Sequence, residues 1–351
     1  MLFGKKDHLV GLDIGSRTIK VGEVESTSAG QTLLKFGALD IAPGIIEEDG
    51  IKNPEGAADS IRQLFKLYNV KEQNVAISVG GYSVIVKKIN VQSMSEEQLQ
   101  ETIHLEAEQY IPFDINDVNL DFQILGGSES NPSQMSVLLV AAKKEMVSDY
   151  LHVIELAGLN PCIVDVDAFA LQNIFEVNYD TTENCVALID IGANKTSLNI
   201  MKNNASVFMR DVSLGCSQIN HKIVSQIDCS IEESEELKHN ENQDRIDPGD
   251  LNDIVSSVVS GWTTEIRRAL DFFYSTYPED QIGKIILSGG GANIKEFRKL
   301  LSVQTSTDVS IINPFEKLKI NENQLDMAYL NKMAPQAAIC LGLAIRRVND
   351  K

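Results

Sequence analysis

The chain is short of basic residues for its size: 31 Lys and Arg stand against 50 Asp and Glu, a formal net charge of −19. A surface that acidic repels phosphates and anionic headgroups at long range, which disfavours nucleic acid and anionic lipid as default partners. The chain also lacks the roughly 18 consecutive apolar residues that a membrane span needs. Met1 to Gly11 holds no apolar run of signal-peptide length, so the expected location is cytoplasmic. Cysteine is sparse as well. Cys162, Cys185, Cys216, Cys229 and Cys340 show no C-x-x-C spacing, which argues against a zinc or dithiol site and for buried thiols in a reducing compartment. The last apolar segment, Ala334 to Val348, is rich in small residues, as suits a closely packed helix rather than an interfacial anchor. What is present is ordinary: 351 residues, 43% hydrophobic and 23% charged, enough for two or more domains.

Against that background one short motif occurs twice, about half the chain apart. Leu12-Asp13-Ile14-Gly15-Ser16-Arg17-Thr18 is echoed by Ile189-Asp190-Ile191-Gly192-Ala193-Asn194-Lys195-Thr196. In each, alternation gives a buried strand, a glycine turn and a returning strand, Thr18 to Val24 and Thr196 to Met201. A helix is expected over Glu55 to Tyr68 and a strand over Asn74 to Val79, so the opening reads as an α/β domain. From Ser83 the pattern becomes strand, helix, hairpin, helix. Ser95-Glu96-Glu97-Gln98 has the form of a capping box, and Pro112 must end the helix it starts. A polar loop is expected over Gly126 to Gln134. Three helical stretches follow the second motif, Gln218 to Ile227, Ile231 to Lys238 and Asp250 to Thr276, with an exposed loop over Asn240 to Gly249. The strand Lys284 to Leu287 then leads into Ser288-Gly289-Gly290-Gly291 and a short helix.

A turn after a buried strand presents backbone N–H groups that cradle phosphate oxygens. Ser16, Arg17, Ala193 and Asn194 stand at the two tips. Carboxylates beside phosphates make sense when a cation intervenes, and Mg²⁺ takes one or two of them directly or through water. Asp13 and Asp190 fit that role, through water. Either motif alone is equally an ordinary hairpin turn; the repetition in matching contexts points to a ligand. The triple glycine Gly289, Gly290, Gly291 would let backbone approach a flat ring or ribose, and Glu235, Lys238 and Arg268 are helix charges that either reach that ligand or form a solvated face.

The two D-I-G hairpins, the S-G-G-G segment and the small-residue helix Pro335 to Ala344 together resemble the actin-like ATPases over nearly the whole chain. The resemblance implies an α/β fold of two duplicated domains, each with an inserted subdomain, closing on ATP and Mg²⁺. Lys20, Thr196 and Gly215 join the nucleotide-holding set on the same ground, with hinges near Asp165 to Ala170 and at the small-residue helix. The implied domains are 1–82 with 165–184, an inserted α+β unit 83–164, 185–216 with 278–333, a helical insertion 217–277, and a C-terminal helix 334–351 returning to the first domain.

The stretch Leu105-Glu106-Ala107-Glu108-Gln109-Tyr110-Ile111-Pro112-Phe113 and the run Asp165-Val166-Asp167-Ala168-Phe169-Ala170-Leu171 resemble the PilM family of type IV pilus assembly proteins. The related FtsA proteins carry a C-terminal amphipathic tether, which this sequence, ending at Lys351, does not show. The PilM resemblance implies a cytoplasmic ATP-binding adaptor at the inner face of the inner membrane. It would hold the N-terminal tail of the inner-membrane protein PilN and connect to cytoplasmic pilus ATPases, with room for self-association. The helix Ser95 to Tyr110, with Pro112 and Phe113, would form the tail groove or be simply core. Asp165 and Asp167 are the candidates for positioning a water; slow or negligible hydrolysis is expected, since relatives often place Glu or Gln there. A filament-forming scaffold of the FtsA type and a small-molecule kinase of the same superfamily remain open as alternatives.

Overall fold

The computed structural model describes residues 8–28, 30–47, 50–128, 131–180, 185–238 and 245–348. The first motif forms β1 (Val10–Ile14), which returns as β2 (Thr18–Thr27) and is followed by β3 (Gly30–Asp40). A small hairpin, β4 (Ile46–Glu47) and β5 (Gly50–Ile51), leads to α1 (Pro54–Leu67). The Asn53 side chain accepts from the Gly56 N–H, and Pro54 takes the first helical turn, where its missing donor costs nothing. Strand β6 (Asn74–Val79) then runs parallel to β1.

Next come β7 (Val84–Gln92), α2 (Glu96–Ala107), β8 (Val118–Gly127) and β9 (Gln134–Lys143), with β9 between β7 and β8 in a separate three-stranded sheet. The capping box at Ser95 and Gln98 is present. Residues 129 and 130 of the loop expected over Gly126 to Gln134 lie outside the described residues. Leu99 and Ile103 of α2 are buried against Val137 and Leu139, so they belong to the core of this small sheet. The chain continues through α3 (Lys144–Leu156), β10 (Asn160–Val166) and α4 (Asp167–Asn178).

The second motif opens a second sheet: β11 (Cys185–Ile191), β12 (Thr196–Lys202) and β13 (Ala205–Val212). Three helices follow, α5 (Ser217–Ile227), α6 (Ile231–Lys238) and α7 (Pro248–Thr276). Of the loop expected over Asn240 to Gly249, residues 240–244 lie outside the described residues, and α7 already begins at Pro248, capped by Asp247. The chain ends its circuit with β14 (Ile282–Ser288), α8 (Lys295–Thr305), β15 (Asp308–Ile311), β16 (Lys319–Ile320) and α9 (Met327–Ala344).

The two large sheets repeat one another. Their orders are β3-β2-β1-β6-β10, with β16 added outside β3, and β13-β12-β11-β14-β15. In each, the motif strand pairs antiparallel with its return strand and parallel with the strand on its other side. The carboxyl ends of β1 and β6, and of β11 and β14, therefore sit beside each other, the place where open α/β sheets bind ligands.

Three of the expected boundaries shift. Strand β10 is hydrogen-bonded to β6, and Val153 and Ile154 of α3 pack with Ile61 and Leu64, so both elements join the first sheet's layer rather than the insertion drawn to 164. The helices of 217–277 share one core with the second sheet, Trp262 and Phe273 packing with Ile189 and Leu287. The chain also returns to the first sheet before 334, because β16 pairs with β3.

From Ala334 to Ala344 helix α9 is apolar on nearly every side, as a helix segment buried all round must be. It lies against α4, β1 and β2. A Cβ on Gly342 would stand 1.8 Å from the Ala170 carbonyl oxygen, so α4 and α9 cross with backbones in contact.

Candidate functional site

The first hairpin sets Asp13 opposite Lys20 in register, and the Lys20 Nζ donates to Asp13 Oδ2 at 2.8 Å. Burial alone would lower the Lys20 pKa, but the adjoining Asp13 carboxylate outweighs it and the pKa is raised. Gly15, Ser16 and Arg17 form the tip, closed by the Ile41 N–H donating to the Arg17 carbonyl at 2.9 Å. On α6, Glu232 is held below the usual carboxylate range first by helix-end backbone bonding, then by Ser230, with Arg17 adding to the effect.

In the second hairpin Asp190 lies opposite Ser197 and accepts from Ser288 Oγ at 2.6 Å. Burial pushes its carboxyl up to about 6; the Ser288 bond opposes this, and Asp13 and Asp167 add to it by repulsion. Asp13 and Asp167 are thus close enough to Asp190 for their charges to be felt there. Gly192 donates its N–H to the Lys195 carbonyl at 2.8 Å, while the Cys216 and Ser217 N–H groups donate to the carbonyls of Gly192 and Ala193 at 3.0 and 2.8 Å. The carbonyl side of the turn is therefore seated on the start of α5. Ser217 Oγ donates to Asn194 Oδ1 at 2.7 Å, and Thr196 Oγ1 to the Leu214 carbonyl at 3.0 Å. Gly215 lies beneath the turn, where a Cβ would stand 2.2 Å from the Ala193 carbonyl oxygen.

Sequence reading passed over Lys195 as a site residue. Its Nζ reaches across from the second hairpin to Asp167 Oδ2 at 2.7 Å. Asp167 opens α4, and although burial works against its ionisation, Lys195 and hydrogen bonds from Lys195 and Ser78 hold its pKa below the usual range. Lys195 is raised for the reciprocal reason, its own burial being outweighed by Asp167 and then Asp211. The adjacent candidate, Asp165, is engaged differently: Arg346 Nη1 donates to its Oδ2 at 2.9 Å, and the carboxylate is only 8% exposed.

The glycine run divides by role. Gly289 has φ of +79°, and Cβ atoms on Gly289 and Gly291 would stand 2.3 Å from Ile191, so both are required by packing against β11. Gly290 is the one of the three with open space before it. Helices α5 and α6 hold a polar cluster: Asn220 Nδ2 donates to Glu235 Oε2 at 2.6 Å, and Lys238 Nζ to Asn220 Oδ1 at 3.1 Å and Glu235 Oε2 at 2.8 Å. Cys216 ties this cluster to the carboxylates. Its thiol is pushed up to about 11, chiefly by burial, and it senses Lys238, Glu235 and Asp190 together. Arg268 pairs with Glu265 on its own helix, with two-thirds of its side chain in solvent.

The structure therefore brings Asp13, Lys20, Asp167, Asp190 and Lys195 to one place, with the glycine run and the Glu235–Lys238 cluster adjoining it. Among the described residues no three His, Cys, Asp or Glu side chains converge as a metal cage. Two separate carboxylates next to two lysines and two glycine turns suit instead a cation carried in with phosphates, which keeps most of its water.

A model of the family described as type IV pilus assembly protein PilM matches residues 11–348. A solved PilM–PilN type IV pilus biogenesis complex has a chain similar to this one with a TM-score of 0.85 at 26% identity, covering 96% of this chain and 98% of that one. The ethanolamine utilization protein EutJ from Carboxydothermus hydrogenoformans is similar with a TM-score of 0.58 at 13% identity, covering 96% and 89%, a likeness of fold alone. The duplicated sheets are those of the actin-like ATPase fold.

Proposed function

This chain belongs to the type IV pilus assembly protein PilM family, and on that premise we propose that it is an ATP-binding adaptor that captures the N-terminal cytoplasmic tail of PilN and links it to the cytoplasmic assembly ATPases. The observation that carries the nucleotide part is the convergence of Asp13 and Asp190 from two repeated hairpins, with Asp190 pushed up to about 6 chiefly by burial. A carboxylate so placed gains from a nearby cation. In this reading Asp13 and Asp190 hold Mg²⁺ through water, and Lys20 with the N–H groups of Ser16, Arg17, Ala193 and Asn194 holds phosphates. Gly290, Glu235 and Lys238 flank the nucleoside. When bound, Mg-ATP supplies charge that ties the two hairpins, and hence the two sheets, together.

Hydrolysis is slow in this reading. A water-activating base must be basic near neutral pH and free to turn toward the water; Asp165 is held in an ion pair by Arg346, and Asp167, held below the usual range by Lys195, is a weak base. Recognition is the working function, and its partner is suggested by the similar chain having been solved in a complex with PilN. Among the described residues no helix is long and apolar enough to cross a membrane. The PilN tail would therefore bring the chain to the inner face of the inner membrane. Calorimetric titration with a PilN-tail peptide, with and without Mg-ATP, is expected to show saturable binding; failure to bind in both conditions would sink the adaptor reading while leaving the nucleotide site standing.

A further inference from the structure

The repeated hairpins differ in where they carry a lysine. In the first, Lys20 stands on the return strand and pairs within its own hairpin, with Asp13. In the second, the corresponding register position is Ser197, and the lysine has moved into the turn itself as Lys195. From there it leaves its own hairpin and pairs with Asp167, at the end of a strand of the other sheet. The phosphate turn of one half is thus salt-bridged to the other half.

That ion pair stands at the neck of the inserted three-stranded sheet. The chain enters the sheet through Gly80 to Ser83, between β6 and β7. A Cβ on Gly80 would stand 2.4 Å from both Lys195 Nζ and Asp167 Oδ2, so the entering strand lies directly on the pair. The next residue donates its N–H to Asp211 Oδ2 at 2.7 Å, and Tyr82 shares a hydrogen bond with Ser213 at 3.0 Å. Asp211 in turn bears on the Lys195 ammonium. The chain leaving the sheet meets the same pair: Tyr150 of α3 has its phenol pushed up to about 12, first by burial and next by Asp167, with Lys195 opposing. The two ends of the neck are also joined to each other, the Lys143 N–H donating to the Ser83 carbonyl at 3.0 Å.

We propose that Lys195 couples the phosphate turn to the inserted subdomain by exchanging acceptors, from Asp167 to a phosphate held at the turn. This rests on the nucleotide reading above. Polyphosphate brings more negative charge to the turn than one carboxylate does, and the ammonium follows the larger field. Its departure removes the group on which Gly80 is seated and leaves Asp167 and Asp211 without their shared cation. The segment Gly80 to Ser83 then loosens, and the inserted sheet is held less firmly against β13.

Hydrogen exchange of the full-length chain reads this directly, with a non-hydrolysable ATP analogue and Mg²⁺ as the probe and binding confirmed by calorimetry on the same samples. Saturating analogue should speed exchange about tenfold at the Gly81 and Val84 amides, which are bonded to Asp211 Oδ2 and to the Gly81 carbonyl. Lys195→Met should exchange fast there without nucleotide and show no further response, Asp167→Asn should do the same, and Lys195→Arg should restore the response. A wild type that binds the analogue with the Gly81 and Val84 amides unchanged, or a Lys195→Met variant that keeps the response, would overturn the proposal while leaving nucleotide binding intact. Absence of binding by the wild type would overturn the nucleotide reading and this coupling with it.

Discussion

At the scale of single residues the site is a problem in charge placement. Asp13 is hydrogen-bonded to one lysine and Asp167 to another, while Asp190 accepts from a serine hydroxyl. Asp190 therefore bears the cost of convergence. With its folded pKa near 6 against an ordinary 3.8, the folded state holds a proton that the unfolded state has released. Stability consequently falls as pH rises from about 4 to about 6 and stays at its lower value above that. The shift corresponds to at most about 3 kcal/mol, reduced by the screening that residual solvent contact provides. Asp190→Asn is expected to abolish that fall, so that urea denaturation at pH 7.5 without nucleotide shows a more stable variant, while at pH 4 the two chains match. Equal stability of the two at pH 7.5 would contradict the account. The two aspartates were legible in the sequence because they sit in a repeat. Lys195 was not, since its partner Asp167 is local only in space, and Asp165 gave no sign that Arg346 would fold back onto it.

At the scale of elements, what could be read locally was read well and what depended on packing was not. The first hairpin, α1 and the capped α2 follow from alternation and capping chemistry within short windows. Helix α9 shows the limit. Pro335 reads as a helix start, where its missing N–H is harmless, yet the helix begins at Met327 with Asp326 capping it and Pro335 lies inside. The Pro335 carbonyl accepts from the Gly289 N–H at 2.8 Å, so the interruption is held from outside by the glycine run. Strand β13 was missed because its residues alternate weakly, and its place is fixed by pairing with β12. The α4–α9 crossing sets a sharp steric condition at Gly342. Gly342→Ala should push the helices apart and cost about 2 kcal/mol or more, seen as a lower thermal midpoint; an unchanged midpoint would mean that the crossing is looser than described.

At the scale of the whole molecule, duplication explains both the fold and the site. Two sheets of the same order carry the same motif at the same strand ends, so one short sequence motif, used twice, supplies two turns and two carboxylates, which the proposed function assigns to one ligand. That repeat made the fold class legible. The division into subdomains was less so, because α3 and β10 are assigned by the surfaces they bury against rather than by their own patterns. The central claim is that both hairpins hold one nucleotide. Calorimetric titration of Mg-ATP into the wild type, Asp13→Asn and Asp190→Asn tests it most directly. The account predicts one ATP per chain and at least a tenfold loss of affinity in each variant, about 1.4 kcal/mol; no binding by the wild type, or full affinity with either aspartate replaced, would contradict it.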